Sequence, residues 1–295
     1  MIGIKMSQEE LKGEVAAIMV VFHPDKELLR KNLSAISPQV GKVFIIDNTP
    51  GGALTEVENI YEGHYYIRLG ENKGIAAAQN RGINEAIKEG YETLYFLDQD
   101  SISPSDIIQR LSQAKKELEK KDIKVGAIGP LPINRESGLP YIPTAKKAEG
   151  IEGLTEVREL ISSGSLISSS TLKEVGGMME ELFIDGVDHE WCWRAKAKGG
   201  YRFFVVNDAR LSHQLGRGDR KMLWWKVAMP SPIRTYYLYR NIFILGKRNY
   251  VPLPYKIKNA VKLALKIFYY PIFISPRREY ARNIFKGIKD GLLGV

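Results

Sequence analysis

Cysteine is almost missing from this chain of 295 residues. Cys192 stands alone, with no partner for an internal disulfide, which fits a reducing compartment and leaves stability to the packing of a core. Long apolar runs are missing too: no stretch reaches the roughly 18 uninterrupted apolar residues of a spanning helix. Residues 1–14 mix acids and lysines without an apolar core segment, so no secretory leader is expected. Internal repeats and low-complexity tracts are absent. No G-x-G-x-x-G follows the first apolar run, which disfavours a dinucleotide-dependent dehydrogenase. Val21-Phe-His-Pro24 is not a glycine-rich basic loop either, which disfavours a nucleotidyltransferase acting on sugar phosphates.

A hydrophobic share of 44% and a charged share of 26% are ordinary for a folded chain, so a sizeable core needs no staples. The length suits one large α/β domain with a smaller appendage. The net charge of +9 is unevenly placed. Residues 221–295 carry 15 Lys or Arg against only Glu279 and Asp290, whereas residues 1–220 are slightly acidic. A division at 220/221 is therefore expected, with a basic tail that suits anionic partners.

Val15-Ala-Ala-Ile-Met-Val-Val-Phe22 is a continuous, β-branched apolar run of the kind buried on both faces of a sheet. A helix over about 25–36 follows, then strands at 42–46, 65–69 and 93–97, with a helix at 74–89 between the last two. Thr49-Pro-Gly-Gly52 is turn chemistry. Residues 130–159 read as loop and edge structure, and 161–170 is again apolar and small. A helix over 188–198 stops at Gly199-Gly200, and Tyr201–Val206 is a further strand. Buried strands alternating with helices predict a doubly wound, mostly parallel α/β sheet.

In open α/β sheets ligands bind where strands end at their carboxyl edges. Three polar clusters fall there: His23-Pro24, Asp47-Asn48 and Asp98-Gln99-Asp100-Ser101. Two carboxylates at i and i+2 after a buried strand repel each other unless a cation lies between them. A hard divalent ion, magnesium or manganese, supplies that compensation and bridges to phosphate oxygens. The same letters also occur as a solvated turn with Ser103 capping a helix.

The order Val-Val-Phe, Ile-Ile-Asp-Asn, then Glu71-Asn-Lys-Gly-Ile-Ala-Ala-Ala-Gln-Asn-Arg-Gly82, then Phe-Leu-Asp-Gln-Asp-Ser resembles the nucleotide-sugar half of family-two glycosyltransferases. The Asp-Gln-Asp-Ser spelling is similar to the bacterial rhamnosyltransferase branch, whose donor is dTDP-rhamnose. The match runs over about 15–249 and implies a GT-A fold, an inverting, metal-dependent transfer and a glycan acceptor, lipid-linked in cell-surface polysaccharide synthesis. By this resemblance Phe22, Asp47, Asn72, Gly74, Arg81 and Asp98 line the donor, with Asp47 accepting from the pyrimidine N3–H and Asn80 nearby. Asp98 and Asp100 hold the metal, Asp100 the more directly. His213, in Ser212-His-Gln-Leu-Gly216, joins as a third ligand. Leu182-Phe-Ile-Asp-Gly-Val-Asp-His-Glu-Trp-Cys-Trp-Arg194 supplies the base: Asp188 first, Glu190 next, Asp185 third, with helix capping as the plain alternative for Asp188. Gly164-Ser165 forms a wall near the sugar. A UDP-hexose transferase, or a non-catalytic membrane-docked nucleotide-sugar binder, stays open on the same residues. His23, His64 and His189 receive no role.

In the tail, Tyr236-Tyr-Leu-Tyr-Arg-Asn241 is similar to a family segment that follows the catalytic domain. Lys258, Lys262 and Lys266 recur every four residues, with Ile257, Ala260, Val261, Ala264, Leu265 and Phe268 covering much of the rest of the helix and Trp224, Trp225, Tyr269 and Tyr270 around them. A basic amphipathic helix of this kind suits the inner, cytoplasmic face of a membrane as a peripheral anchor. A helix packed on the domain, or on a second copy in a homo-oligomer, is the alternative. No nucleic-acid-binding module accompanies the charge, so no nucleic acid is expected.

Overall fold

The computed structural model of the protein describes residues 13–52, 64–134, 138–140, 145–147, 152–213, 219–222, 225–228 and 230–294. Its frame is a nine-stranded sheet in the order β3-β2-β1-β4-β8-β5-β9-β7-β6. The strands are β1 (Val15–Val21), β2 (Lys42–Asp47), β3 (Tyr65–Arg68), β4 (Thr93–Asp98), β5 (Val125–Asn134), β6 (Ala145–Lys147), β7 (Leu154–Val157), β8 (Leu166–Ser168) and β9 (Arg202–His213). The first four are parallel throughout. Beyond β4 the sheet is mixed: β8 runs antiparallel to both β4 and β5, β5 and β9 are parallel, and β7 and β6 run antiparallel at the edge.

The apolar run that opens the chain explains the layering. Alternate residues of β1 go to opposite faces: Ala16 and Ile18 join one core, while Val15, Ala17, Met19 and Val21 join the other. Phe44 and Phe96 sit with the first set, Ile45 and Tyr95 with the second. A strand buried on both faces needs helices on both sides. Helices α1 (Lys26–Ile36) and α3 (Ile107–Glu119) cover the second face through Leu29, Leu33, Ile108 and Leu111. On the first face lie α2 (Gly74–Lys88), α4 (Ser169–Val175) and α5 (Val187–Gly199). Helix α1 starts where its chemistry directs: Asp25 accepts from the N–H groups of Glu27 and Leu28 at 3.0 and 2.9 Å.

Three stretches differ from the sequence expectation. The segment around 130–134 continues β5, although Pro130 and Pro132 argue against a central strand; the register to β9 shifts between Pro130 and Leu131, which accommodates them. Strand β9 runs on to His213 rather than ending at Val206. The apolar stretch after Ile161 divides into short β8 and helix α4.

After the hairpin of β10 (Asp219–Met222) and β11 (Trp225–Ala228) come α6 (Pro232–Gly246), α7 (Leu253–Phe273) and α8 (Arg277–Leu293). Trp224 lies outside the described residues. The expected division at 220/221 is not a break in the core, because Ile244, Leu245 and Val251 join the sheet's first-face cluster. A second, smaller cluster joins the three helices through Tyr239, Leu263, Tyr270, Ile274, Tyr280 and Ile284.

Candidate active site

Strands β1, β2 and β4 end side by side, and their ends carry the polar residues that sequence singled out. At the end of β2, Asp47 is fully buried; one carboxylate oxygen accepts the Thr49 N–H at 2.9 Å and the other the Tyr66 hydroxyl at 2.6 Å. The expected donor-facing acid is thus a loop-organising residue with no surface of its own. Asn48 and Asn72 interlock: Asn48 Nδ2 donates to Asn72 Oδ1 at 3.0 Å, which also accepts the Gly74 N–H, while Asn48 Oδ1 accepts from Lys73 N–H at 2.7 Å. This pair closes the turn into α2.

Gly74 has φ +84°, and a Cβ built there would lie 2.6 Å from Phe183. Its bare backbone is needed first for the approach of Phe183, whose carbonyl accepts the Ile75 N–H at 2.8 Å. Asn80, expected on the donor side, instead ties α2 to the 178–180 loop: it donates to the Met178 carbonyl and the Glu180 carboxylate and accepts the Met178 N–H. Arg81 pairs with Glu85 one turn along at 3.1 Å. Phe22, 42% exposed, stands at the rim, edge-on to His23.

The acid turn at the end of β4 is held from several sides. Asn32, fully buried on α1, donates to the Asp98 carbonyl at 2.8 Å. Gln99, between the acids, clamps the Phe22 backbone, accepting its N–H at 2.7 Å and donating to its carbonyl at 3.2 Å. Burial, then the charges of Asp100 and Asp188, push the Asp98 carboxyl up to about 7; a hydrogen bond from Ser163 works the other way. Three carboxylates therefore share one electrostatic neighbourhood.

The turn 162–165 brings them together. Gly164 N–H donates to the Phe96 carbonyl and Phe96 N–H to the Ser165 carbonyl, both at 2.8 Å, which fastens the turn to β4. The hydroxyls of Ser163 and Ser101 lie 3.3 Å apart. Ser162 N–H donates to Asp188 Oδ2 at 3.1 Å, and Gln79 of α2 donates to the Ser162 hydroxyl at 3.2 Å. Gly164, at φ +81°, leaves no room for a side chain against Pro130 and Leu211. Sequence pointed to Gly164 and Ser165; of the residues that make the link, Gln79 lies in the Glu71–Gly82 motif without a role assigned to it, and Ser162 and Ser163 carried no motif.

Asp188 lies in the first turn of α5, whose N-cap is Gly186. Its side chain turns to Ser162 rather than capping its own helix. Burial raises its carboxyl, opposed by the Ser162 N–H and by His189. Glu190 is a correction. It is fully buried, with Arg194 on both oxygens at 2.8 and 3.0 Å and the Tyr250 hydroxyl at 2.6 Å. Two residues along a helix point to a different side, and that side faces the structural core. Asp185 is likewise committed, held by Arg234 through both oxygens at 2.6 to 2.9 Å.

His189, given no role from sequence, sits 3.6 Å from Glu159, which also accepts from Trp193 Nε1 at 2.7 Å. Burial works against the imidazolium, but Glu159 and Asp188 outweigh it and its pKa rises. His213 closes β9, paired in register with Asn134; its side chain lies outside the described residues.

The loop before α5 is gripped from the C-terminal region. Asn241 Nδ2 lies within 2.7 to 3.0 Å of the carbonyls of Leu182, Ile184 and Asp185. Phe183 stacks on Tyr237 with ring centroids 4.4 Å apart, and Arg240 donates to the Glu181 carbonyl. Phe183 and Asp185 both have positive φ, 61° and 65°, so α6 holds a strained loop in place.

Among the described residues no group of three metal-ligating side chains could hold an ion alone. Asp98 and Asp100 offer the hard oxygens that magnesium or manganese takes, and their mutual repulsion is what a cation relieves. The residues fit a divalent ion shared with oxygens of a bound phosphate.

Comparisons with known proteins bear on the family and the fold. The family model described as "Glycosyl transferase family 2" matches residues 17–176. The dTDP-rhamnosyl transferase RfbF of Shigella flexneri is 30% identical over 297 residues, covering 97% of each chain. Among solved structures, GalNAc-T7 with UDP, GalNAc and Mn2+ superposes with a TM-score of 0.58 at 13% identity, covering 97% of this chain and 57% of that one. S. aureus TarS matches at 16% identity and a TM-score of 0.47, covering 89% of this chain and 44% of that one. The chain thus spans about half the length of these two structures, and the GalNAc-T7 likeness is one of fold.

Proposed function

Because this chain belongs to glycosyl transferase family 2, we propose that it transfers rhamnose, with inversion, from dTDP-rhamnose to a hydroxyl of a glycan. That it is a glycosyltransferase follows from the family; the sugar, the mechanism and the acceptor are the proposal. The observation that carries it is the 162–165 turn, which fastens Asp188 beside the acid pair Asp98 and Asp100. The relative from Shigella flexneri supports the choice of donor.

In this reading the nucleoside lies along the ends of β1 and β2. Phe22 offers an apolar edge, and Asp47, buried beneath the end of β2, holds through Thr49 and Tyr66 the loop that the pyrimidine meets. Asn72 and Gly74 shape the turn against the diphosphate, and Arg81, half-exposed, would exchange Glu85 for a phosphate oxygen. Asp98, Asp100 and His213 are the proposed holders of the divalent ion. That ion, when bound, offsets the charge of the departing diphosphate.

Asp188 acts as general base. It takes the proton of the acceptor hydroxyl as that oxygen bonds to the anomeric carbon, and the bond from that carbon to the diphosphate breaks with its electron pair leaving on dTDP. Attack from the face opposite the leaving group inverts the anomeric centre. Burial raises the Asp188 carboxyl, and a carboxylate of raised pKa is a better proton acceptor than an ordinary one. The acceptor we propose is lipid-linked, met at the inner face of a membrane.

A donor screen tests this. dTDP-rhamnose, UDP-glucose and UDP-galactose are each incubated with and without manganese, and melting shift and nucleotide release are read. A shift and release confined to dTDP-rhamnose with metal support the reading; preference for a UDP-hexose would overturn the donor assignment.

A further inference from the structure

Helix α7 buries one side and leaves another bare. Leu263 and Tyr270 pack into the helical cluster with Tyr239 and Tyr280. On the opposite side of the helix, Ile257, Val261, Leu265, Phe268 and Ile272 are 51% to 72% exposed. Their spacing of four, four, three and four residues places them on one stripe, about 22 Å long at 1.5 Å per residue. Phe273, 66% exposed, extends it at the C-terminal end. Beside the stripe an apolar cleft of about 470 Å³ opens between α6 and α7, bordered by Ala260 and Ala264. A continuous apolar surface of this kind marks an interaction site.

The charges around it indicate the partner. Helix α7 has no Asp or Glu. Lys258 and Lys262, both exposed, run along one flank of the stripe, and Arg277 and Arg278 stand exposed where α8 begins. Lys266 follows in the lysine row, 3.0 Å from the Tyr270 hydroxyl. Burial and the neighbouring Lys262 pull its ammonium down to about 8, as expected of cations crowded without counter-charge. Two copies of this chain meeting stripe to stripe would set these cationic rows against each other. A layer of anionic headgroups over acyl chains satisfies both the lysine flank and the apolar stripe. Among the described residues no helix is long and apolar enough to cross a membrane, which leaves α7 to lie along the surface.

We propose that α7 docks this chain on an anionic lipid bilayer, with Ile257, Val261, Leu265, Phe268 and Ile272 in the acyl boundary and Lys258 and Lys262 at the headgroup phosphates. This deepens the reading of a lipid-linked acceptor by giving the enzyme a place to meet it, and its test needs neither donor nor acceptor.

The full chain is floated with vesicles of phosphatidylcholine and phosphatidylglycerol in a three-to-one ratio, and with vesicles of phosphatidylcholine alone. Wild type partitions to the anionic vesicles and is released by salt. Leu265→Glu with Phe268→Glu abolishes partitioning, and Lys258→Gln with Lys262→Gln weakens it by roughly tenfold or more. These side chains are exposed, so an unchanged melting temperature confirms the fold of each variant. Wild type that stays off anionic vesicles, or a Leu265→Glu/Phe268→Glu variant that binds them like wild type, overturns the proposal. So does sedimentation velocity showing a dimer that this variant converts to monomer while vesicles take up neither. Transfer to a soluble acceptor remains intact in the variant; a wild type without transfer would sink the catalytic reading and leave the vesicle result standing.

Discussion

The side chain of Gln99 continues the ladder between β4 and β1 by pairing with both backbone groups of Phe22. The strands pair in parallel register up to Val20 and Asp98, and Gln99 prolongs that pairing past the last strand residue. The middle letter of the Asp-Gln-Asp motif thus fixes the angle at which the turn leaves the sheet.

Gln99→Ala removes the partner of the exposed Phe22 N–H and carbonyl, which water then takes up, at a cost of about 0.5–1.5 kcal/mol. The expected outcome is a several-fold higher KM for the donor with a smaller change in kcat, read from donor titrations at saturating acceptor. An unchanged KM would mean that the clamp does not position the donor.

Asp188→Asn removes the proposed base and is expected to lower kcat by roughly 10²–10⁴. It also carries a stability signature. Burial raises the Asp188 carboxyl above its ordinary range, so the folded state binds that proton more tightly than the unfolded chain does. The ionised carboxylate therefore costs stability at neutral pH, and the cost disappears in acid, below the unfolded pKa. Asparagine has no proton to lose, so the variant should melt higher than wild type near neutral pH. The gain should vanish in acid. Melting curves across pH check the sign.

Asn241 gathers three carbonyls of the loop that leads into Asp188. Asn241→Ala strands these groups in a buried site, costing roughly 1–3 kcal/mol. Melting temperature and kcat are expected to fall together while the donor KM holds, because the affected loop belongs to the Asp188 side. Steady-state kinetics with both substrates varied separate the two.

At Gly74 a side chain meets two obstacles, a φ of +84° and the nearby Phe183. Gly74→Ala is expected to destabilise by roughly 1–3 kcal/mol from backbone strain alone, and more from the contact. Denaturant unfolding measures it. A neutral substitution would show that Phe183 moves aside freely.

Much of the first half of the fold was legible in sequence because β1, β2 and β4 are buried on both faces and read as unbroken apolar runs ending in polar residues. The second half was less so. Pro130 and Pro132 disguised β5, and short β8 merges into the helix after it. The acid turn was legible for a similar reason, since two carboxylates after a buried strand need a physical explanation. Glu190 was not, because its neutralisation depends on Tyr250, sixty residues away in the chain, as well as on Arg194 one turn along. The 162–165 turn was half legible: Gly164 announced a turn, but nothing local to Ser162 reveals that its N–H reaches Asp188. Contacts made across long sequence separations leave no periodic trace.

The central claim is that Asp98 and Asp100 hold a divalent ion against the diphosphate of the donor. Calorimetric titration of dTDP into wild type and Asp100→Asn, each with and without manganese, tests it most directly. The account predicts binding by wild type that needs the metal and is lost in Asp100→Asn. Equal binding by both proteins regardless of metal would contradict it.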